Sequence, residues 1–152
     1  MRKATNSDLE KIYEIELECF AEDAFSKTLL RYIINSKNFL TIVAVADGEP
    51  VGFISGYINH EGSKKVGHVY TLDVKGGFRR RGIGSSLLTA LENAFVEMGV
   101  VSCYLEVRAE NIEALRLYNR HGYQKLSVMK HYYGFGVDGI RLKKNLNRKV
   151  PT

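Results

Sequence analysis

The apolar positions of the first thirty-five residues recur at helical spacing. Leu9, Ile12, Tyr13, Leu17 and Phe20 repeat every three or four residues, and Asn6-Ser7-Asp8 ahead of them can cap free backbone N–H groups, which predicts a helix from about Leu9. After a short connection, 21–25, a second helix is predicted from Ser26, with Leu29, Leu30, Ile33 and Ile34 on one face. Then the period changes. Residues 39–46 are rich in β-branched side chains, Asp47-Gly48 is a turn signal, and 51–58 reads as the returning strand. Polar residues 61–65 make another turn before a third strand at 66–74, which Lys75-Gly76-Gly77 breaks. A long amphipathic helix is predicted over 82–98, with Ile83, Leu87, Leu88, Leu91, Phe95 and Met98 on one face and Gly99 to end it. A strand at 100–107, a short helix at 111–121 and a closing strand pair at 123–131 and 140–146 complete the chain; a short strand can precede the first helix. The order αα, ββ, β-α-β-α-β-β defines an α/β chain with mixed sheet pairing.

Composition narrows the class without choosing a function. The 152 residues are 45% hydrophobic and 26% charged, which suits one domain with a real core. No repeat or Gly/Ser/Pro linker divides them, so the expected division is a domain at 1–146 and a basic tail at 147–152. The net charge of +5 fits nucleic acid, a membrane surface or a phosphorylated cofactor equally well. Cys19 and Cys103 have no ligand-spaced neighbours and read as core, so no metal is expected. The N-terminus lacks a signal-peptide stretch, and no apolar run approaches the ~20 residues a membrane span needs, so a soluble cytoplasmic protein is expected.

Chemistry first shows at Arg79-Arg80-Arg81-Gly82-Ile83-Gly84-Ser85, between a strand and the long helix. A helix N-terminus offers unpaired N–H groups and partial positive charge, glycines admit a phosphate to the backbone, and arginines add charge. A basic surface loop is the plain alternative. The dinucleotide fingerprint is absent because Leu87 stands at its third glycine, and no Gly-Lys-Ser/Thr follows for a P-loop. The arginines could also meet nucleic acid, but no basic recognition helix or aromatic-basic platform accompanies them.

Here the chain resembles the GNAT superfamily of acetyl-CoA-dependent N-acetyltransferases, whose Arg/Gln-x-x-Gly-x-Gly/Ala motif is matched by Arg79, Gly82 and Gly84. The resemblance extends through Leu105-Glu106-Val107-Arg108 with Asn111, then Ala114, Leu117-Tyr118 and His121-Gly122-Tyr123, to Tyr132-Tyr133, over roughly residues 1–145. This combination is similar to the branch of ribosomal-protein alanine and archaeal protein N-terminal acetyltransferases. It departs in Phe25, where tryptophan is common, and in a less acidic closing loop followed by a more basic last strand, with Arg141, Lys143 and Lys144.

The resemblance implies a GNAT fold: a central, mixed, twisted sheet flanked by helices, with strands splayed at the acetyl-CoA site. It implies that Arg79, Arg80, Arg81, Gly82, Ile83, Gly84 and Ser85 hold the pyrophosphate. It further implies that Leu72, Asp73 and Val74 offer backbone to the pantetheine arm, and that Asn111 and Tyr118 also meet the cofactor. Glu106 is the first candidate general base and Tyr118 the proton donor to the leaving thiolate; read alone, they are a solvated strand-end acid and a core tyrosine. His68 is a second base candidate, since imidazole titrates near neutrality. Phe20, Glu22, Phe25, Tyr132 and Tyr133 are candidates for the acceptor side. The expected acceptor is the α-amino group of a protein or peptide, a ribosomal protein among the candidates, and the expected state is a monomer or weak homo-oligomer. Acetylation of lysine side chains or small amines such as polyamines is the enzyme alternative. A non-catalytic CoA- or nucleic-acid-binding module is the other.

Overall fold

The computed structural model describes residues 1–146, so the basic tail with Arg148 and Lys149 lies outside the described residues. The chain runs β1 (Arg2–Lys3), α1 (Leu9–Phe20), α2 (Lys27–Asn35), β2 (Phe39–Ala46), β3 (Glu49–Glu61), β4 (Lys64–Val74), α3 (Ile83–Glu97), β5 (Val100–Arg108), α4 (Ile112–Arg120), β6 (Gln124–Met129) and β7 (Gly139–Asn145). Single 3-10 turns occupy Asn6–Asp8, Ala21–Asp23 and Gly76–Phe78. The expected α/β architecture is observed, and helix starts follow local chemistry. The Ser26 hydroxyl accepts from the Leu29 N–H at 3.1 Å, so Ser26 caps α2 rather than beginning it, and the Asn111 side chain caps α4 by accepting from the Ala114 N–H at 3.1 Å.

One seven-stranded sheet carries the fold, in the order β1-β2-β3-β4-β5-β7-β6. Its neighbours are antiparallel except β4 and β5, which are parallel. Strand alternation builds a core on each face. Ile42, Ala44 and Ile54 join Leu87, Leu88, Leu91 and Phe95 of α3 on one side. Val43 and Phe53 join Leu9, Ile12 and Ile15 of α1 and Leu30 and Ile34 of α2 on the other. Close approach of α3 to the sheet requires Gly67, where a Cβ would lie 2.6 Å from the Phe95 ring. The periodicity overreached at three positions: Leu17, Phe20 and Met98 are exposed, and α1 buries Ile15 and Glu16 instead.

Among the irregularities of the sheet, two on opposite edges of β4 shape the site. The β4–β5 ladder runs from Lys65 opposite Val100 to His68 opposite Tyr104 and stops. Beyond it the two strands separate, leaving Val69 to Val74 without a partner on that side, and a fork opens in the sheet. On the other edge of β4, Ser55 faces Thr71 but Gly56 faces Val69, so Tyr70 is the extra residue of a bulge.

Candidate active site

His68 and Glu106 meet at the mouth of the fork. The His68 Nε2 lies 2.8 Å from the Glu106 Oε1, and the Arg141 Nε donates to the other carboxylate oxygen at 3.3 Å. Arg141 is directly opposite Glu106 in the β5–β7 ladder, which puts both side chains on one face. Burial alone would push the Glu106 carboxyl up, but its hydrogen bond to His68 and the charges of His68 and Arg141 outweigh this and hold it below the usual glutamate range. A carboxylate only accepts, so the short contact fixes His68 with its proton on Nε2. Nδ1 then remains the basic atom, and it has no hydrogen-bond partner among the described residues. Tyr57 stacks on the imidazole at 5.0 Å and keeps the ring in place.

On one side of this pair the fork leads to the start of α3. Gly82 caps that helix with φ +79, a left-handed conformation, and a Cβ there would meet nothing within 4 Å. The first helical closure is the Ser86 N–H to the Gly82 carbonyl at 3.0 Å, so the amides of Ile83, Gly84 and Ser85 at the helix start have no intrahelical partner. Arg80 and Arg81 are exposed beside them. Tyr118 of α4 is buried, and burial raises its hydroxyl pKa above the ordinary tyrosine value, so it stays protonated. Its hydroxyl has no hydrogen-bond partner among the described residues, unlike a satisfied core tyrosine such as Tyr123, which donates to Glu92 at 2.8 Å.

The side chains of other motif residues make contacts within the protein. Arg79 folds back, its Nε donating to the Val74 carbonyl at 3.1 Å and its Nη2 lying 3.4 Å from the Cys19 sulfur, so it braces the loop. The Ser85 hydroxyl lies 2.6 Å from the His121 Nε2, tying α3 to the end of α4. Leu72 and Val74 pack into the α3 core, and the Asp73 side chain is buried on the opposite face, leaving only the backbone of this segment toward the fork.

The other side of the pair is aromatic. Phe25 stacks on Tyr70 at 5.0 Å, and Tyr70 in turn meets Phe39 and Tyr57 edge-on. From the β6–β7 connection the Tyr132 hydroxyl comes within 3.5 Å of the Glu106 Oε1, and Tyr133 packs edge-on against Tyr132. Arg108 lies over the Tyr133 ring at 5.1 Å and binds Asp23 at 2.7 Å, so it joins the α1–α2 connection to the end of β5. Phe20 at the end of α1 and Glu22 on that connection are exposed, and neither is hydrogen-bonded to the His68–Glu106 pair. A cleft lined by Tyr57, Asn59, His68, Tyr104 and Arg141 continues from the pair along the open face of the sheet. Sequence reasoning missed Tyr57, Tyr70 and Arg141; only the basic last strand hinted at the third.

The family model described as "Acetyltransferase (GNAT) family" matches residues 9–123. The chain belongs to the acetyltransferase (GNAT) family. It is 36% identical to an uncharacterised N-acetyltransferase of Methanocaldococcus jannaschii, over 99% of this chain and 95% of that protein. It is 30% identical to an N-alpha-acetyltransferase of Sulfolobus acidocaldarius, over 91% of this chain and 87% of that one. In three dimensions it is similar to Arabidopsis thaliana NAA60 in complex with acetyl-CoA, with a TM-score of 0.83 at 21% identity over 97% of this chain and 98% of that one. The GNAT assignment agrees with the forked sheet. Among the described residues, no cluster of three or more His, Cys, Asp and Glu is placed to hold a metal, and no helix is long and apolar enough to cross a membrane.

Proposed function

We propose that this GNAT protein transfers an acetyl group from acetyl-CoA to the α-amino group of a protein or peptide. The observation that carries this reading is the His68–Glu106 pair at the fork, with free helix amides on one side and an aromatic wall on the other. The pyrophosphate sits on the amides of Ile83, Gly84 and Ser85, with Arg80 and Arg81 beside it. The free edge of β4 at Leu72 to Val74 receives the pantetheine arm, and Asn111 borders it. The amine nitrogen attacks the thioester carbon, and the carbon–sulfur bond breaks. The proton lost by the amine goes to the His68 Nδ1, directly or through a water, while Glu106 stabilises the imidazolium. The Tyr118 hydroxyl donates a proton to the departing thiolate. Phe25, Tyr70, Tyr132 and Tyr133 wall the acceptor's path.

The acceptor preference has a physical basis. An α-amine titrates at about 7.7–8.0, so a useful fraction is neutral near pH 7, whereas a lysine amine near about 10.4 is almost wholly protonated. The one acidic group at the pair, Glu106, is engaged by His68 and Arg141, and Asp23 is engaged by Arg108, which leaves little for a polycation to grip. A ribosomal protein is one acceptor in keeping with the sequence resemblance, and the cytoplasm is the compartment where such an acceptor meets acetyl-CoA. Turnover of acetyl-CoA should be at least about 10-fold faster with unblocked peptides than with N-terminally blocked lysine peptides or spermidine. Faster turnover with spermidine or blocked lysine peptides would contradict the reading.

A further inference from the structure

Among the described residues, two buried carboxylate oxygens have no hydrogen-bond donor: Glu16 Oε1 and Asp73 Oδ2. Both residues are only 1% exposed. Glu16 lies one turn after Ile12 on the buried face of α1, Asp73 lies near the end of β4, and their carboxyl groups are within hydrogen-bonding reach of each other. The remaining oxygen of each is committed. The Glu16 Oε2 accepts from the Phe25 N–H at 2.9 Å, and the Asp73 Oδ1 accepts from the Thr71 hydroxyl at 2.7 Å. Two ionised carboxylates in this arrangement would face each other out of water with no donor between them. Like-charge repulsion and desolvation both forbid it, and one proton turns the clash into an O–H···O bond.

We propose that Glu16 and Asp73 share one proton, and that this bond positions the acceptor-side connection, residues 21–25, against the cofactor strand. The two are positioning residues, since neither faces the reacting atoms. Glu16 holds the Phe25 amide, Phe25 stacks on Tyr70, and Tyr70 is the bulged residue two places from His68. The same connection is held at Asp23 by Arg108. Three further groups face the pair: the Cys19 thiol from α1, the Arg79 guanidinium from the loop after β4, and the Tyr118 hydroxyl from α4. Arg79 is the cation among them and favours keeping a single negative charge on the pair. Burial first and Glu16 second raise the Asp73 carboxyl well above its ordinary range, against the opposing pull of Thr71 and Arg79. When alkaline pH removes the shared proton, the two acids repel, α1 is pushed from β4, and Phe25 loses its seat. The link to the acceptor rests on the function proposed above; the shared proton does not.

Amide variants separate this from a general packing role. Asp73→Asn keeps an acceptor for Thr71, supplies a permanent N–H to Glu16, and preserves the net charge of the proton-sharing pair. Glu16→Gln does the same from the other side, with its oxygen on Phe25 and its NH2 on Asp73. Glu16→Gln should keep the peptide KM at neutral pH within about 2-fold of wild type, whereas Asp73→Ala strands the Glu16 oxygen and should raise KM about 10-fold. The double amide Glu16→Gln with Asp73→Asn sets two NH2 groups against each other and should be worse than either single change. The ratio of wild-type to Glu16→Gln KM should climb on the alkaline side, acceptor titration cancelling between the two. Carbon-13 NMR of the side-chain carboxyls in the free enzyme should show a protonated acid at neutral pH that both single amides abolish. Two ionised carboxylates at neutral pH, or a double amide as good as the singles, would overturn the shared proton. Wild-type KM in Asp73→Ala would overturn its positioning role. Acetylation of no peptide at all would contradict the acceptor assignment and the positioning role with it, while carboxyl titration decides the shared proton independently.

Discussion

At His68 the deciding detail is which nitrogen carries the proton. Glu106 can only accept, so Nε2 must donate to it, and the ring's basicity is left at Nδ1. Glu106 has both oxygens engaged and sits below its ordinary pKa, which makes it a better partner for an imidazolium than a base in its own right. His68→Ala should therefore cost about 100-fold or more in kcat, the usual scale of general-base assistance. Glu106→Gln keeps an oxygen for the Nε2 proton and should cost less, about 10-fold, with acetyl-CoA affinity intact. The double variant should be no slower than His68→Ala alone, because the two act as a unit. Single-turnover rates check this; a larger loss in Glu106→Gln than in His68→Ala would restore the glutamate as the base. Because its folded pKa is depressed, Glu106 stabilises the fold above the ordinary glutamate value of about 4.3, and that contribution disappears as pH falls through the lower folded value.

At the scale of elements, the proposed cofactor binding falls on the backbone at the start of α3 and the end of β4. Gly82 has a left-handed φ that strains any other residue, and the space around it, which a side chain would enter, is open. Gly82→Val would put bulk where a phosphate must approach and strain the cap by about 1–3 kcal/mol. Acetyl-CoA affinity should fall at least about 10-fold in a variant that still folds. Isothermal titration with circular dichroism on the same samples reads both, and unchanged affinity in a folded variant would remove the phosphate from this helix start. The element pattern was readable from sequence wherever a face is buried, and α3 is the clearest case, with Leu87, Leu88, Leu91 and Phe95 all fully buried. It was least readable in the β3–β4 hairpin. That hairpin extends to Glu61 opposite Lys64, beyond the apolar runs, because ladder hydrogen bonds need no buried side chain once the strands pass the edge of the core.

At the scale of the whole molecule, two cores lie on opposite faces of one sheet, and the sheet forks where the β4–β5 ladder ends. In the proposed reaction the cofactor would approach from the α3 end and the acceptor from the aromatic face, so that the thioester and the amine would meet at His68. The family was legible because its signals are local: an Arg-x-x-Gly-x-Gly turn and the segment from Leu105 to Tyr118. The site's supporting contacts were not, because they join residues far apart in the chain. Arg141 reaches Glu106 across a β-ladder, Arg108 reaches Asp23 across the acceptor side, and Glu16 reads as an ordinary helix acid until β4 brings Asp73 against it. Arg79 shows the converse, a motif residue whose type was informative but whose contacts turn it toward the loop. The most direct test of α-amine acetylation at this fork is mass-spectrometric localisation of the acetyl group on a peptide carrying both a free N-terminus and an internal lysine, at neutral pH. Modification is expected at the N-terminus, with the lysine acetylated at least about 10-fold more slowly; acetylation mainly at the lysine would contradict the assignment.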